Sequence, residues 1–164
     1  GAKYESGEYF VADLIFAGEI MNDAAAVLKP LLAGRGSESL GKMVFCTVKG
    51  DIHDIGKNIA KSLLEAGGIE VVDLGVDVPA DRIIDAVKEH DVSVVGLSGV
   101  LTIAIDSMKA VVAALSETGL RDKVRVIIGG APVTAEYCRM VGADAWSVNA
   151  AEGVKICQQW LAGK

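Results

Sequence analysis

The residues best suited to chemistry lie in one short run, Lys49-Gly50-Asp51-Ile52-His53-Asp54-Ile55-Gly56-Lys57-Asn58. It places a single imidazole between carboxylates. A histidine with one ring nitrogen held by a carboxylate has a fixed tautomer and a more basic second nitrogen, which suits metal ligation. The same Asp and His also suit a plainer task, capping a helix that begins here. The run is not a phosphate loop: the glycine-rich nucleotide patterns are absent, and an acidic loop repels an anion.

These residues need elements to position them. From Gly41 onward, short β-branched runs alternate with amphipathic stretches, separated by Gly, Pro or Asp. Strands are predicted at Lys42–Val48, Ile69–Leu74, Val92–Leu97, Val124–Ile128 and Ala143–Val148. They are apolar nearly throughout, as parallel strands covered on both faces should be. Helices are predicted at Gly56–Glu65, Ala80–His90, Ile105–Thr118, Ala135–Val141 and Ala151–Leu161, with Asp77 before Pro79 read as a cap of the second. Five strand-helix units are too few for an eight-fold barrel and predict a flavodoxin-like (Rossmann-like), doubly wound, five-stranded parallel sheet. Such a sheet takes ligands at the carboxyl ends of its strands, where the run around His53 begins.

Residues 8–33 read differently. Leu14, Ala17, Met21, Ala24, Leu28 and Leu31 recur at steps of three or four, a helical stripe that one segment cannot bury alone. A glycine- and serine-rich stretch, Gly34 to Gly41, follows as a linker. The chain is therefore expected to divide into a helical arm, residues 1–38, and an α/β body, residues 39–164.

Composition narrows the function. With 51% hydrophobic and 23% charged residues among 164, the chain has material for one core. A net charge of −6 gives no electrostatic basis for binding nucleic acid or an anionic membrane, leaving proteins and small molecules as partners. The longest apolar runs fall far short of the ~20 residues of a membrane span, and the first residues lack a secretory pattern, so the expected compartment is the cytoplasm. Cys46, Cys138 and Cys157 are widely spaced among apolar neighbours and read as reduced core residues.

Three motifs in order, Asp51-x-His53-x-x-Gly56, then Ser98, then Gly129-Gly130, resemble the signature of cobalamin-binding domains that take the cofactor with its benzimidazole displaced. The flanking words, Val48 to Asn58, Gly96-Leu97-Ser98-Gly99 and Ile128 to Val133, resemble the methyl-carrying branch: methionine synthase and the small corrinoid proteins of methanol, methylamine and aryl-ether methyltransferase systems. The resemblance covers essentially the whole chain. It implies that His53 is the lower cobalt ligand in a base-off, His-on complex and that Asp51 accepts the hydrogen bond of its second ring nitrogen. It further implies that Gly56, Ser98, Thr102, Gly129 and Gly130 line a slot for the nucleotide tail, with Ile52, Asp54, Ile55 and Val100 completing the contact set.

The arm resembles the second half of a helical cap module that shields the upper corrin face, with Tyr4, Phe10 and Val11 where cap residues fall. The chain would accept a methyl group on cobalt from a substrate-specific methyltransferase and present it to a second one with a tetrahydrofolate or thiol acceptor. It would not be a complete enzyme alone, and no catalytic residue of its own is assigned. The bound form would be methylcobalamin or a related corrinoid.

Two departures stand out. Val100 replaces the Leu of the usual Ser-x-Leu. Ala104 stands where methyl-transferring relatives carry Ser or Thr beside the Asp, which deprives Asp51 of a hydroxyl partner. The unpartnered stripe of the arm suggests a homodimer. Three other readings share parts of the pattern: a cobalamin sensor, for which a DNA-reading segment is missing; the cofactor subunit of an adenosylcobalamin mutase, against which the arm and the wording around His53 speak; and a receiver-like signalling domain, which has no use for His53.

Overall fold

The protein is represented by a computed structural model that describes residues 39–163 and, in the N-terminal segment, residues 8–10, 12, 13, 16, 17, 19, 20, 23, 24 and 27. The chain divides into two compact units, Gly1–Glu38 and Ser39–Lys164. In the first unit, every described residue from 12 to 27 is helical. The helix opens on a reciprocal pair, Phe10 N donating to Asp13 Oδ2 at 2.8 Å and Asp13 N donating to Phe10 O at 3.0 Å. Phe10, Phe16, Ile20 and Val27 are exposed on this unit. Tyr4 and Val11, two of the three expected cap residues, lie outside the described residues, as do Leu14, Met21, Leu28 and Leu31 of the stripe.

The second unit alternates strand and helix without exception: β1 Gly41–Val48, α1 Asp54–Ala66, β2 Ile69–Val78, α2 Ala80–His90, β3 Val94–Ser98, α3 Ala104–Glu117, β4 Arg125–Gly129, α4 Ala135–Val141, β5 Ala145–Ser147 and α5 Ala150–Ala162. The strands pair in parallel in the order β2-β1-β3-β4-β5, the flavodoxin-like order expected. The crossovers that follow the neighbours β1 and β3 leave in opposite directions, to β2 and to β4, so the loops after these two strands flank the switch point. They are residues 49–53 and 99–103.

Alternation along β1 divides the core in two. Val44, Cys46 and Val48 face α2 and α3, packing with Ile83, Val87, Met108, Val111 and Leu115. Met43 and Phe45 face the other way, toward α1 and α5, where Leu64, Cys157 and Leu161 meet them. The three cysteines are free and buried. Desolvation pushes the thiols of Cys46 and Cys157 up to about 12, so neither is a thiolate at neutral pH. Among the described residues no helix is long and apolar enough to cross a membrane.

The extent of β2 and the role of Asp77 differ from the sequence-based expectation. β2 runs on to Val78 rather than stopping at Leu74, because register shifts opposite Phe45, Cys46 and Val48 absorb the polar Gly75-Val76-Asp77. Asp73 sits at the first shift. Its carboxylate accepts from Gly75 N at 2.9 Å, from the buried Lys57 ammonium at 2.7 Å and from Lys61 at 3.1 Å. Burial would raise the Asp73 pKa, but these donors outweigh it and hold the group below its ordinary value. Lys57 thus ties the start of α1 to the edge strand. Asp77 does not cap α2: the N-cap is Pro79, and Asp77 Oδ1 instead accepts from Gly50 N at 2.7 Å.

Candidate functional site

The β1-α1 loop is held by one carboxylate. Asp51 is fully buried, and its Oδ1 accepts from His53 N at 2.9 Å while facing His53 Nδ1 at 3.0 Å. Its Oδ2 accepts from the backbone N–H groups of Val100 at 2.6 Å and Leu101 at 3.1 Å, in the β3-α3 loop. The Asp51 carbonyl accepts in turn from Thr47 Oγ1 at 2.7 Å and from Asp77 N at 3.0 Å. Burial alone would raise the Asp51 pKa. The donors of His53, Val100 and Leu101 reverse that and hold it below the usual carboxylate range, so the group is an anion at neutral pH.

An anionic Asp51 fixes the tautomer of His53. Nδ1 carries the hydrogen and donates it to Asp51, leaving Nε2 as the nitrogen with a free lone pair. The side chain of His53 is half exposed, at 50%. His53 occupies the N-cap position of α1, yet its side chain makes no capping bond. The capping role left open by the sequence therefore falls to neither residue; both are committed to each other. Asp54 lies in the first turn of α1, where a carboxylate suits the helix dipole, and accepts from Asn58 Nδ2 at 3.1 Å.

Ala104 is buried as the first residue of α3, and Asp51 lacks the hydroxyl partner seen as missing in the sequence. Two backbone donors saturate Oδ2 instead. Backbone N–H groups belong to every residue but proline, so this clamp left no signature in the residue types.

The same strand-end edge carries exposed apolar side chains. Ile52 (71%), Ile103 (62%) and Val148 (62%) stand beside Ile55, Val76, Val100 and Leu101 among the exposed large hydrophobics of this edge. Apolar groups on the same edge as a half-exposed imidazole suit a broad, largely apolar ligand. Among the described residues no three His, Cys, Asp or Glu side chains gather as a metal site. A lone imidazole cannot hold a free ion against water, since protein metal sites use three or four ligands. It can supply one axial ligand to a metal whose other ligands come with an organic macrocycle.

Beside this edge a cleft of about 70 Å³ runs down between the sheet face and helices α1 and α5. Gly129, Ser147, Asn149 and Ala150 form its rim, and Met43, Phe45, Leu64, Ile127 and Cys157 its depth. Of the expected slot residues, Gly129 lines this cleft. Gly56, Ser98, Thr102 and Gly130 lie at the same strand-end edge and are not among its walls. Ser98 is buried and registers opposite Thr47 and Gly129; Thr102 is exposed. Gly130 has φ +129, and a Cβ there would overlap the Gly99 carbonyl, so it serves the close approach of two loops. Sequence reasoning missed the cleft walls, whose residue types are those of any core. One signal was available: Gly153, inside a predicted helix. A Cβ at Gly153 would lie 3.8 Å from Ile127 and 3.9 Å from Ser147, across the cleft mouth.

Comparison with known proteins gives the same direction. A family model described as B12 binding domain matches residues 41–155, and a second of the same description matches residues 1–29. The chain is 39% identical to dimethylamine corrinoid protein 3 of Methanosarcina mazei, over 99% of this chain and 98% of that protein. A crystal structure of a cobalamin-binding protein from Desulfitobacterium hafniense superposes with a TM-score of 0.77 at 56% identity, covering 98% of this chain and 75% of the other. The methanol:cobalamin methyltransferase complex of Methanosarcina barkeri matches with a TM-score of 0.75 at 29% identity, over 99% of this chain and 62% of that chain.

Proposed function

The chain belongs to the B12-binding domain family, and from that premise we propose that it carries a methyl group on corrinoid cobalt between a substrate-specific methyltransferase and a second, acceptor-side methyltransferase. The observation that carries the reading is the His53–Asp51 pair at the switch point, with Nδ1 committed to a buried anion and the imidazole half exposed at an edge that carries exposed apolar side chains. The corrinoid supplies the cobalt chemistry; the protein supplies axial ligation, orientation and protection of the bound group. Asp51 holds the imidazole in the ligating tautomer. Ile52, Val100 and the neighbouring apolar side chains offer surface to the macrocycle, and the cleft beside Gly129 receives the tail. Support for methyl transfer, as opposed to sensing or mutase chemistry, comes from the dimethylamine corrinoid relative and from the methyltransferase complex.

The test is spectroscopic. Protein loaded with hydroxocobalamin, freed of excess by gel filtration and reduced to Co(II), should show each cobalt line of the spin-resonance spectrum split threefold by one imidazole nitrogen that becomes doubled in pattern when the histidine is labelled with nitrogen-15. His53→Ala should abolish the imidazole splitting while lowering affinity by no more than about tenfold, because tail and macrocycle contacts persist. A splitting unchanged in His53→Ala would overturn the assignment.

The arm belongs to the same proposal as an upper-face cap, with Tyr4, Phe10 and Val11 as its contact residues, and as a self-association element. Sedimentation at micromolar concentration should give a dimer that Leu28→Glu converts to monomer. A parent protein that stays monomeric at every concentration would exclude arm-mediated dimerisation.

A further inference from the structure

We infer that the cleft selects the chemistry of the corrinoid's lower base, accepting an apolar bicyclic base such as dimethylbenzimidazole and discriminating against a purine such as adenine. The inference rests on the corrinoid reading and deepens it. Its ground is the polarity of the cleft. The deep walls are Met43, Phe45, Leu64, Ile127, Val154 and Cys157, five hydrocarbon or thioether side chains and one thiol. Burial pushes that thiol up to about 12, so it stays protonated and offers only a weak donor.

At the rim the Ser147 hydroxyl is already committed, and Asn149 is held through its side-chain oxygen. Ser147 Oγ donates to Asn149 O at 2.7 Å, lies 3.0 Å from Glu152 Oε2 and accepts from Asn149 N at 3.0 Å. Asn149 Oδ1 accepts from Ala151 N at 2.9 Å. Adenine carries an exocyclic amine and ring nitrogens that in water are fully hydrogen-bonded. Inserted among the deep walls they would lose water and meet no side-chain donor or acceptor except the weakly donating Cys157 thiol, and an unpaired buried polar group is costly. Dimethylbenzimidazole presents methyl groups at the corresponding edge and loses nothing by entering. Gly153 supplies the room. A glycine inside a helix weakens it relative to alanine, and here its missing side chain leaves open the gap between α5 and Ile127.

The experiment measures binding of three corrinoids to the full chain by equilibrium dialysis: cobalamin, the adeninyl cobamide, and cobinamide, which lacks the tail. Cobalamin should bind at least about tenfold more tightly than the adeninyl cobamide, and cobinamide most weakly of the three. Gly153→Leu should bring cobalamin down to the affinity of cobinamide while leaving cobinamide unchanged. Circular dichroism of that variant should retain the helical signal, since leucine favours a helix over glycine. Equal affinity for cobalamin and the adeninyl cobamide would overturn the inference, as would a Gly153→Leu variant that keeps the full advantage of cobalamin. Failure of all three corrinoids to bind would overturn the corrinoid reading itself, a distinguishable result.

Discussion

Asp51→Asn should destabilise the unliganded protein by about 2–4 kcal/mol at pH 7, measured by urea unfolding. The carboxylate accepts on both oxygens: from His53 N and the His53 ring on Oδ1, and from Val100 N and Leu101 N on Oδ2. An asparagine has one acceptor oxygen and one NH₂. Turned either way, it sets donor against donor at a buried position. The pH dependence carries a definite sign. The folded pKa of Asp51 lies below its unfolded value, so its contribution is present above the ordinary carboxylate range and is lost as pH falls through the folded pKa. The gap between parent and Asp51→Asn should therefore be widest near neutrality and shrink on acidification. A loss under about 0.5 kcal/mol at pH 7 would mean that the clamp contributes nothing to the fold.

Gly130→Ala should cost more than any other single methyl added to this edge, about 3 kcal/mol or beyond. Two penalties combine. At φ +129 the backbone is outside the region that side chains adopt, and the new Cβ would overlap the carbonyl of Gly99, a backbone atom with no rotamer to yield. Gly99 N also donates to Gly129 O at 3.0 Å, which pins the two loops together. Gly119→Ala is the control: φ is +69 and nothing lies near its Cβ, so only the backbone penalty of about 1 kcal/mol applies. Equal losses in the two variants, read from denaturant midpoints, would show that the loops are free to separate.

Much of this organisation was legible in the residues. α2 and α4 begin and end as predicted because strong local signals bound them: Pro79 and the left-handed Asp91 for one, Thr134 and the left-handed Gly142 for the other. β2 was underestimated because bulges carry a strand through polar residues that break its alternation. β5 is Ala145–Ser147, shorter than predicted, because the apolar character of Ala143–Val148 extends past the residues that pair with β4. In the site, the residue types showed one imidazole flanked by carboxylates, and the family resemblance named Asp51 as its partner; spacing alone left helix capping open. The partners of Oδ2 were invisible, being main-chain groups some fifty positions away. The cleft walls were equally invisible, because Phe45, Leu64 and Cys157 have the composition of a core and only the tertiary packing of α1 and α5 leaves a gap among them.

The clamp on Asp51 also orders events during synthesis. Its two main-chain bonds to the β3-α3 loop span 49 and 50 residues of sequence, so they close a long loop that has no reward until β3 has docked against β1. A nascent chain that has delivered only β1, α1, β2 and α2 lacks both donors to Oδ2 and can make only the local contacts of Oδ1 with His53. The clamp is therefore completed late, when the third strand pairs with the first. Until then the growing chain carries the motif with half of its clamp unmade.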